Sequence, residues 1–510
     1  MNITFIYRET FMTERLAKDR YEYYRTAADV PLGLGTVRAF AEKDPVLAGK
    51  VRGTNLTLPD RVSDEEAMAA VLATEPDIAA FSVYLWNAPS TYALCAELKA
   101  RRPGVFIVVG GPEIPREKGP MTEFLAEHPA VDAAVGGEGE ETFAELAKAL
   151  ASKGSLKALP GLGFRKGQRV TVNEPRPGIE DLSRVPSPYL SGAVAVPLEA
   201  KGMVSLETSR GCPFSCAFCN YHAGSRKVRE YPLERFEAEI ELLKSRGFCG
   251  LIYIADPILN LDKERAAKAF SIMSRMNNRF QLELKPEFFD EPSIEALMRI
   301  PNPEVALGIQ SINPETLKNI SRKLDMERAT GNIRRILRKE GLSVDAELIL
   351  GLPGDDYEWM KKSLDWALRF APALDVTVFD FVLLPNSPMA ALKERFKLEV
   401  DDEGLVQSSY SFSREDLKKA SHLFAAYYYM RDHSGQWDDF TRLMSKGGQR
   451  PSDALEKVGR KLVEQGFLPD ERVIGQGGRR RRGGGSSSGR PRRWVELSRM
   501  KIGMEGEGWW

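Results

Sequence analysis

The sequence predicts an α/β protein made of two successive strand–helix arrays and a helical end, and three observations predict it. Short apolar runs alternate with helical spacing from residue 1 to about 150. The alternation resumes from 202 to about 392 with six strand candidates, and residues 393 to 467 then read mainly as helix.

In the first array, residues 2–7, 78–84, 105–109 and 131–135 read as strands, and 90–100 and 141–151 as helices. Buried β-branched runs with helical crossovers imply a parallel, doubly wound sheet. Three of its strands run into distinctive turns: Trp86-Asn87, Gly110-Gly111-Pro112-Glu113 and Gly136-Gly137-Glu138-Gly139-Glu140. Ligands of such sheets bind outside the carboxyl ends of the strands, where glycines let backbone approach closely.

Residues 156–201 hold five prolines between 160 and 188 and read as an irregular connector. In the second array the strands are expected at 204–208, 251–255, 281–284, 305–309, 346–350 and 376–383, with a helix over 232–245 begun by Pro232. Six β/α units make an open or partial barrel with its chemistry at the strand ends. Ser413-Arg414-Glu415-Asp416 fits a helix-capping pattern. The expected domains are thus 1–155, the connector 156–201, the barrel 202–392, a helical domain or lid 393–472, and a low-complexity, disordered Gly/Arg/Ser tail 473–510.

Composition narrows the class. Lys plus Arg and Asp plus Glu both number 72, so no net field attracts nucleic acid or an anionic membrane. The first apolar run is too short for a signal peptide, and no apolar run reaches bilayer-spanning length. Only five cysteines occur, and three lie between 212 and 219, which suggests a metal site in a reducing compartment rather than a disulfide framework. The expectation is a soluble cytoplasmic protein.

The strongest motif is Ser209-Arg210-Gly211-Cys212-Pro213-Phe214-Ser215-Cys216-Ala217-Phe218-Cys219. Three thiolates spaced Cys-x3-Cys-x2-Cys can hold three irons of a cubane and leave the fourth open to a small molecule. The residues alone also allow a Cys3His zinc site with His222. Cys95 and Cys249 read as small hydrophobes.

The motif, with Phe218 before its last cysteine, resembles the signature of the radical S-adenosylmethionine (SAM) superfamily. Asp256-Pro257, Glu283, Lys285-Pro286-Glu287, Gly308-Ile309-Gln310-Ser311 and Gly351-Leu352-Pro353-Gly354 follow in order at later strand ends and extend the resemblance over 203–390. The resemblance implies a [4Fe–4S] cluster on Cys212, Cys216 and Cys219, and SAM held near Phe218, Asp256, Glu283, Gln310, Ser311 and Arg322. Asp256 departs from the family's Gly-Gly-Glu at its place.

The first array is similar to the flavodoxin-like cobalamin-binding domain found upstream of such barrels. Its signatures stand at Ser82, Tyr84, Trp86, Asn87, Gly110, Gly111, Glu113, Gly136, Gly137 and Glu138. The Asp-x-His-x-x-Gly motif of other cobalamin proteins is missing, which implies a cobalt without a protein histidine. Trp86 either shields its lower face or packs in the core.

The resemblance implies a 5′-deoxyadenosyl radical and C-methylation of an unactivated carbon of a small molecule or peptide, with flavodoxin or ferredoxin as reductant. Rearrangement or cyclisation without methyl transfer, and a corrinoid or iron–sulfur electron carrier, are the alternatives. A methylthiotransferase is disfavoured, because the N-terminal half has no second cysteine cluster.

Overall fold

A computed structural model describes residues 1–9, 31–59, 62–197, 202–221, 225–339, 342–402, 404–432, 434–445 and 448–473. His222, His433 and the low-complexity tail lie outside the described residues. The chain divides into two compact units: residues 1–213, 224–257 and 271–280 form the first, and 214–223, 258–270 and 281–510 the second.

The first unit holds a seven-stranded sheet of β1 (Asn2–Arg8), β2 (Arg52–Leu58), β3 (Ile78–Ser82), β4 (Phe106–Gly110), β5 (Ala133–Val135), β6 (Leu162–Lys166) and β7 (Arg169–Val172). Their order is β2-β1-β3-β4-β5-β6-β7. The first five strands are parallel, while β6 and β7 join antiparallel. This is the 2-1-3-4-5 doubly wound order, whose ligand cleft opens where the order reverses, at β1 and β3. Helices Asp64–Ala73 and Lys118–Glu127 join those expected, and three further differences bear on the sheet and its cleft. Strand β2 is Arg-Gly-Thr-Asn-Leu-Thr-Leu, a polar edge strand without an apolar run. The helix Leu32–Lys43 starts with glycines at 33 and 35 and escaped notice. The stretch expected to be an irregular connector contains the β6–β7 hairpin, which extends the sheet because β5 leaves its outer edge open.

The second array contributes β8 (Met203–Leu206), β9 (Ser209–Arg210), β10 (Arg229–Glu230), β11 (Leu251–Ile254), β12 (Arg279–Leu284), β13 (Asn302–Gln310), β14 (Ser343–Leu350) and β15 (Asp375–Asp380). Strands β8 and β11–β15 follow one another in chain order in a six-stranded sheet, as a partial (β/α)6 barrel requires. Within the first unit β8 and β11 are parallel and β9–β10 is a short antiparallel ribbon. Within the second, β13, β14 and β15 are parallel. Pro232 caps the helix Leu233–Ser245 rather than opening its first turn.

The second unit ends in a short hairpin, β16 (Glu399–Val400) and β17 (Val406–Ser408), and helices Arg414–Asp432, Trp437–Ser445 and Pro451–Glu464. The expected cap forms: Asp416 N–H donates to Ser413 Oγ at 3.1 Å. The first of these helices covers edge strand β15, whose Val376 and Val378 N–H groups donate to the hydroxyls of Tyr427 and Tyr428 at 2.9 and 3.0 Å. Edge amides are thereby satisfied without another strand. Among the described residues no helix is long and apolar enough to cross a membrane.

Candidate active site

At the carboxyl edge of the first sheet lies a cavity of about 250 Å3. Ser82, Tyr84, Gly110, Gly111, Gly137 and Glu138 line it, all of them expected contacts. At Gly137, where φ is +84°, a Cβ would meet no protein atom within 4 Å, so the glycine leaves cavity space open to a ligand. Among the further lining residues that sequence reasoning did not assign to the site are Gly33 and Leu34 of the first helix, Glu140, and Arg210 of the cysteine motif. Glu140 stood inside a quoted motif and Arg210 beside the cysteines, so both were legible as members of a turn but not as wall residues.

The other expected corrin contacts have separate tasks. Asn87 is fully buried; its Oδ1 accepts from Tyr84 N–H at 2.8 Å and its Nδ2 donates to the Arg8 and Ser82 carbonyls, each at 3.1 Å. It therefore laces the ends of β1 and β3. Trp86 is 38% exposed, stacks on Tyr84 at 4.6 Å, and donates from Nε1 to Tyr7 Oη at 3.2 Å. It is not core packing. Burial pushes the Tyr7 phenol up to about 12, so it stays protonated. Glu113 and Gly136 sit in the turns after β4 and β5.

In the first unit Cys212 is half-buried, and its N–H donates to the Ser225 carbonyl at 3.3 Å. Asp256, expected at SAM, has a different task. It is buried, and its oxygens accept Thr208 N–H (2.6 Å), Thr208 Oγ1 (2.6 Å) and Ser209 Oγ (2.8 Å). Both carboxylate oxygens are occupied in holding the strand end that leads into the cysteine loop.

In the second unit Cys216 is buried and Cys219 half-buried. Arg322 donates from Nη1 to Cys216 Sγ at 3.8 Å, and Tyr221 N–H donates to Cys219 Sγ at 3.3 Å. Lys285 lies 4.2 Å over the Phe214 ring and pairs with Glu287 at 2.7 Å. Burial, then the charge of Arg322, lowers the Lys285 pKa. Among the described residues no three His, Cys, Asp or Glu side chains are gathered closely enough to hold an ion as they stand. The donor chemistry nevertheless fits an anionic thiolate cluster, because cations and N–H groups face the sulfurs. Phe218 packs on the core formed by Ala217, Leu317, Ile320 and Leu352.

Along β12, β14 and β15 buried and half-buried residues alternate, and the half-buried face carries Glu283, Asp345, Glu347 and Thr377. Burial and the neighbouring Glu347 raise the Glu283 pKa well above the usual carboxylate range. Burial, then Asp345, raises Glu347 to about 7. Two carboxylates on one low-dielectric wall disfavour each other's ionisation, and a cation beside them would favour it. Glu347, three residues from the end of an alternating strand, carried no sequence signal beyond its charge.

Gln310 closes β13 at a register shift and has φ +70°, a left-handed backbone rare for a side chain other than glycine. Its amide nitrogen would lie 2.8 Å from a Cβ at Gly308, and Arg322 also donates to the Gly308 carbonyl. Ser311 is fully buried and donates to Asp355 Oδ1 at 3.0 Å, where Thr316 also donates, so it supports the site from beneath.

Family comparison agrees with this arrangement of a corrin-type sheet cleft ahead of a cysteine-bearing barrel. Residues 30–147 match the B12 binding domain and residues 206–367 the radical SAM superfamily. The chain belongs to the radical SAM superfamily, in the group that carries a B12-binding domain. Its cofactors are a [4Fe–4S] cluster, SAM and cobalamin. It is 31% identical over 388 residues to the 2-(S-pantetheinyl)-carbapenam-3-carboxylate methyltransferase of Streptantibioticus cattleyicolor, covering 71% of this chain and 54% of that one. It is 29% identical over 383 residues to the cobalamin-dependent radical SAM methyltransferase TokK of Streptomyces tokunonensis, with the same coverages. The chain thus spans about half the length of the curated relatives it matches. The fold is shared with the radical SAM methyltransferase TsrM from Kitasatospora setae, solved with cobalamin and a [4Fe–4S] cluster, at a TM-score of 0.63 and 17% identity over 91% of this chain and all of that one.

Proposed function

We propose that the protein is a cobalamin-dependent radical SAM C-methyltransferase acting on an unactivated carbon of a natural-product or metabolite substrate. The observation that carries this reading is a corrin-type cavity directly upstream of an open-iron cysteine motif in one chain. When bound, the cluster with SAM supplies a 5′-deoxyadenosyl radical and cobalamin supplies a methyl group.

Cys212, Cys216 and Cys219 would ligate the cluster, with Arg322 and Lys285 offsetting its charge near Cys216. Glu283, Glu347, Gln310 and Arg322 would hold SAM: the carboxylates suit its ammonium and sulfonium, and the guanidinium suits its carboxylate. The first-sheet cavity is too small for a whole corrin and suits its benzimidazole nucleotide arm, which supports a base-off cobalamin. Tyr84 and Trp86 offer an aromatic surface beside it. The substrate is a small molecule or a peptide, and the electron donor a flavodoxin or ferredoxin. Five free thiols suit the reducing cytoplasm.

The test uses reconstituted protein, reductant, cobalamin and methyl-deuterated SAM, with the carbapenam carboxylate of the Streptantibioticus relative as the first substrate offered. Comparable amounts of 5′-deoxyadenosine and S-adenosylhomocysteine, with label in the product, support the reading. Deoxyadenosine without S-adenosylhomocysteine, and an unmethylated product, would establish rearrangement instead. S-adenosylhomocysteine alone would point to polar methyl transfer.

A further inference from the structure

A buried ion-pair cluster in the first unit joins the cavity wall to the cysteine loop. Arg210, two residues before Cys212, meets three carboxylates. Its Nη2 lies 2.8 Å from Glu140 Oε1 and 2.7 Å from Glu207 Oε1, and its Nη1 lies 3.6 Å from Glu138 Oε2. Glu138 and Glu140 belong to the glycine-rich turn after β5 and, like Arg210 itself, line the cavity. Glu207 follows β8 and also accepts from the Tyr231 hydroxyl at 2.7 Å.

Arg229 stands opposite Arg210 in the β9–β10 ribbon. Two like charges at such a position repel. Glu138 lies between them and accepts from Arg229 Nη1 at 3.0 Å, so the repulsion becomes a bridge. Beyond Arg210 the backbone has little slack. Gly211 has φ +94°, and a Cβ there would lie 2.3 Å from the Lys227 carbonyl oxygen. The next N–H, that of Cys212, is already bound to Ser225. A movement of Arg210 is therefore not absorbed at residue 211 and reaches Cys212.

We propose that Arg210 is a positioning residue that couples occupancy of the cavity by the nucleotide arm of cobalamin to the placement of Cys212. The inference rests on the corrin reading of the cavity. That arm carries an amide N–H and ribose hydroxyls, donors for which Glu138 and Glu140 are the acceptors at hand. Any bond they form with it weakens their hold on Arg210, and a buried arginine that loses one carboxylate re-forms its pairing with the others. The coupling is reciprocal: a cluster on Cys212 changes cobalamin affinity by the factor that cobalamin changes cluster affinity.

The experiment is an absorbance titration with hydroxocobalamin of cluster-loaded and cluster-free protein, for the native chain, R210K, R210Q and E138Q. The native chain is expected to give dissociation constants that differ by about fivefold or more, the lower range of ordinary couplings. In R210Q the ratio falls to about one while both cofactors still bind, and in R210K it is intermediate. E138Q removes the bridging charge but leaves Arg210 its other two partners, so it carries the test if R210Q does not fold, as circular dichroism would show. A native ratio of one, or a native-like ratio in R210Q or E138Q, overturns the coupling alone. Failure of the native protein to bind cobalamin overturns the corrin reading and the coupling with it.

Discussion

The guanidinium of Arg322 donates to the sulfur of Cys216 across 3.8 Å while its second terminal nitrogen holds the Gly308 carbonyl. One side chain thus touches the sulfur of a proposed cluster ligand and the bulged end of β13. A cationic donor on a cluster sulfur favours the reduced state. Arg322→Gln should therefore shift the cluster midpoint potential negative by on the order of tens of millivolts and weaken SAM binding, with Arg322→Lys between the two. Redox titration followed by electron paramagnetic resonance measures the first effect. An unchanged potential would remove Arg322 from the cluster's surroundings.

Cysteine replacement separates the cluster from a zinc site. Anaerobically reconstituted protein should hold about four irons and four sulfides, and Ala at 212, 216 or 219 should abolish this. Cys95→Ala and Cys249→Ala should leave iron content intact. Stoichiometric zinc without charge-transfer absorbance would refute the assignment.

If Glu283 and Glu347 hold SAM as proposed, its binding should depend on pH. Glu347 sits at about 7 in the folded chain against an ordinary 4.5, because burial disfavours its charge. Folding takes up this proton, so the group's contribution to apoprotein stability is full below about 4.5 and is lost as pH rises through about 7. A cation favours the ionised form, so SAM affinity should rise between pH 6 and 8, by at most about tenfold per pH unit for one released proton. Glu347→Gln should weaken binding at pH 8 and flatten the slope. Calorimetry in buffers of different ionisation enthalpy counts the proton, and a pH-independent affinity would exclude the pair from the site.

Bound Co(II) cobalamin should show no nitrogen hyperfine splitting from a lower ligand. His128 packs at a tilt against Tyr92 with ring centroids 4.0 Å apart, and burial lowers its pKa. His422 holds the Glu471 carbonyl through Nε2 at 2.9 Å. Both imidazoles, the two among the described residues, are engaged in these contacts. Splitting in the resonance spectrum would contradict the base-off assignment.

The barrel strands and the cysteine loop were readable in the sequence because β-branched runs and cysteine spacing are local signals. Strand β2 was not, since an edge strand solvated on one side needs no apolar run. The site divides in the same way. Glycine-rich turns disclosed Gly110, Gly111 and Gly137, whereas Asn87, inside its motif, and Asp256, which departs from its family's pattern, have their polar atoms occupied within the protein itself. Glu347 and Arg210 owe their importance to partners far away in sequence, which no spacing encodes.

Gln310 carries a side chain at a backbone angle that suits glycine, at a local cost of about 1–2 kcal/mol. Thermal tolerance and ligand grip therefore pull in opposite directions at this position. Selection of variants for heat resistance alone would favour Gln310→Gly, a sturdier chain without the amide proposed to hold SAM.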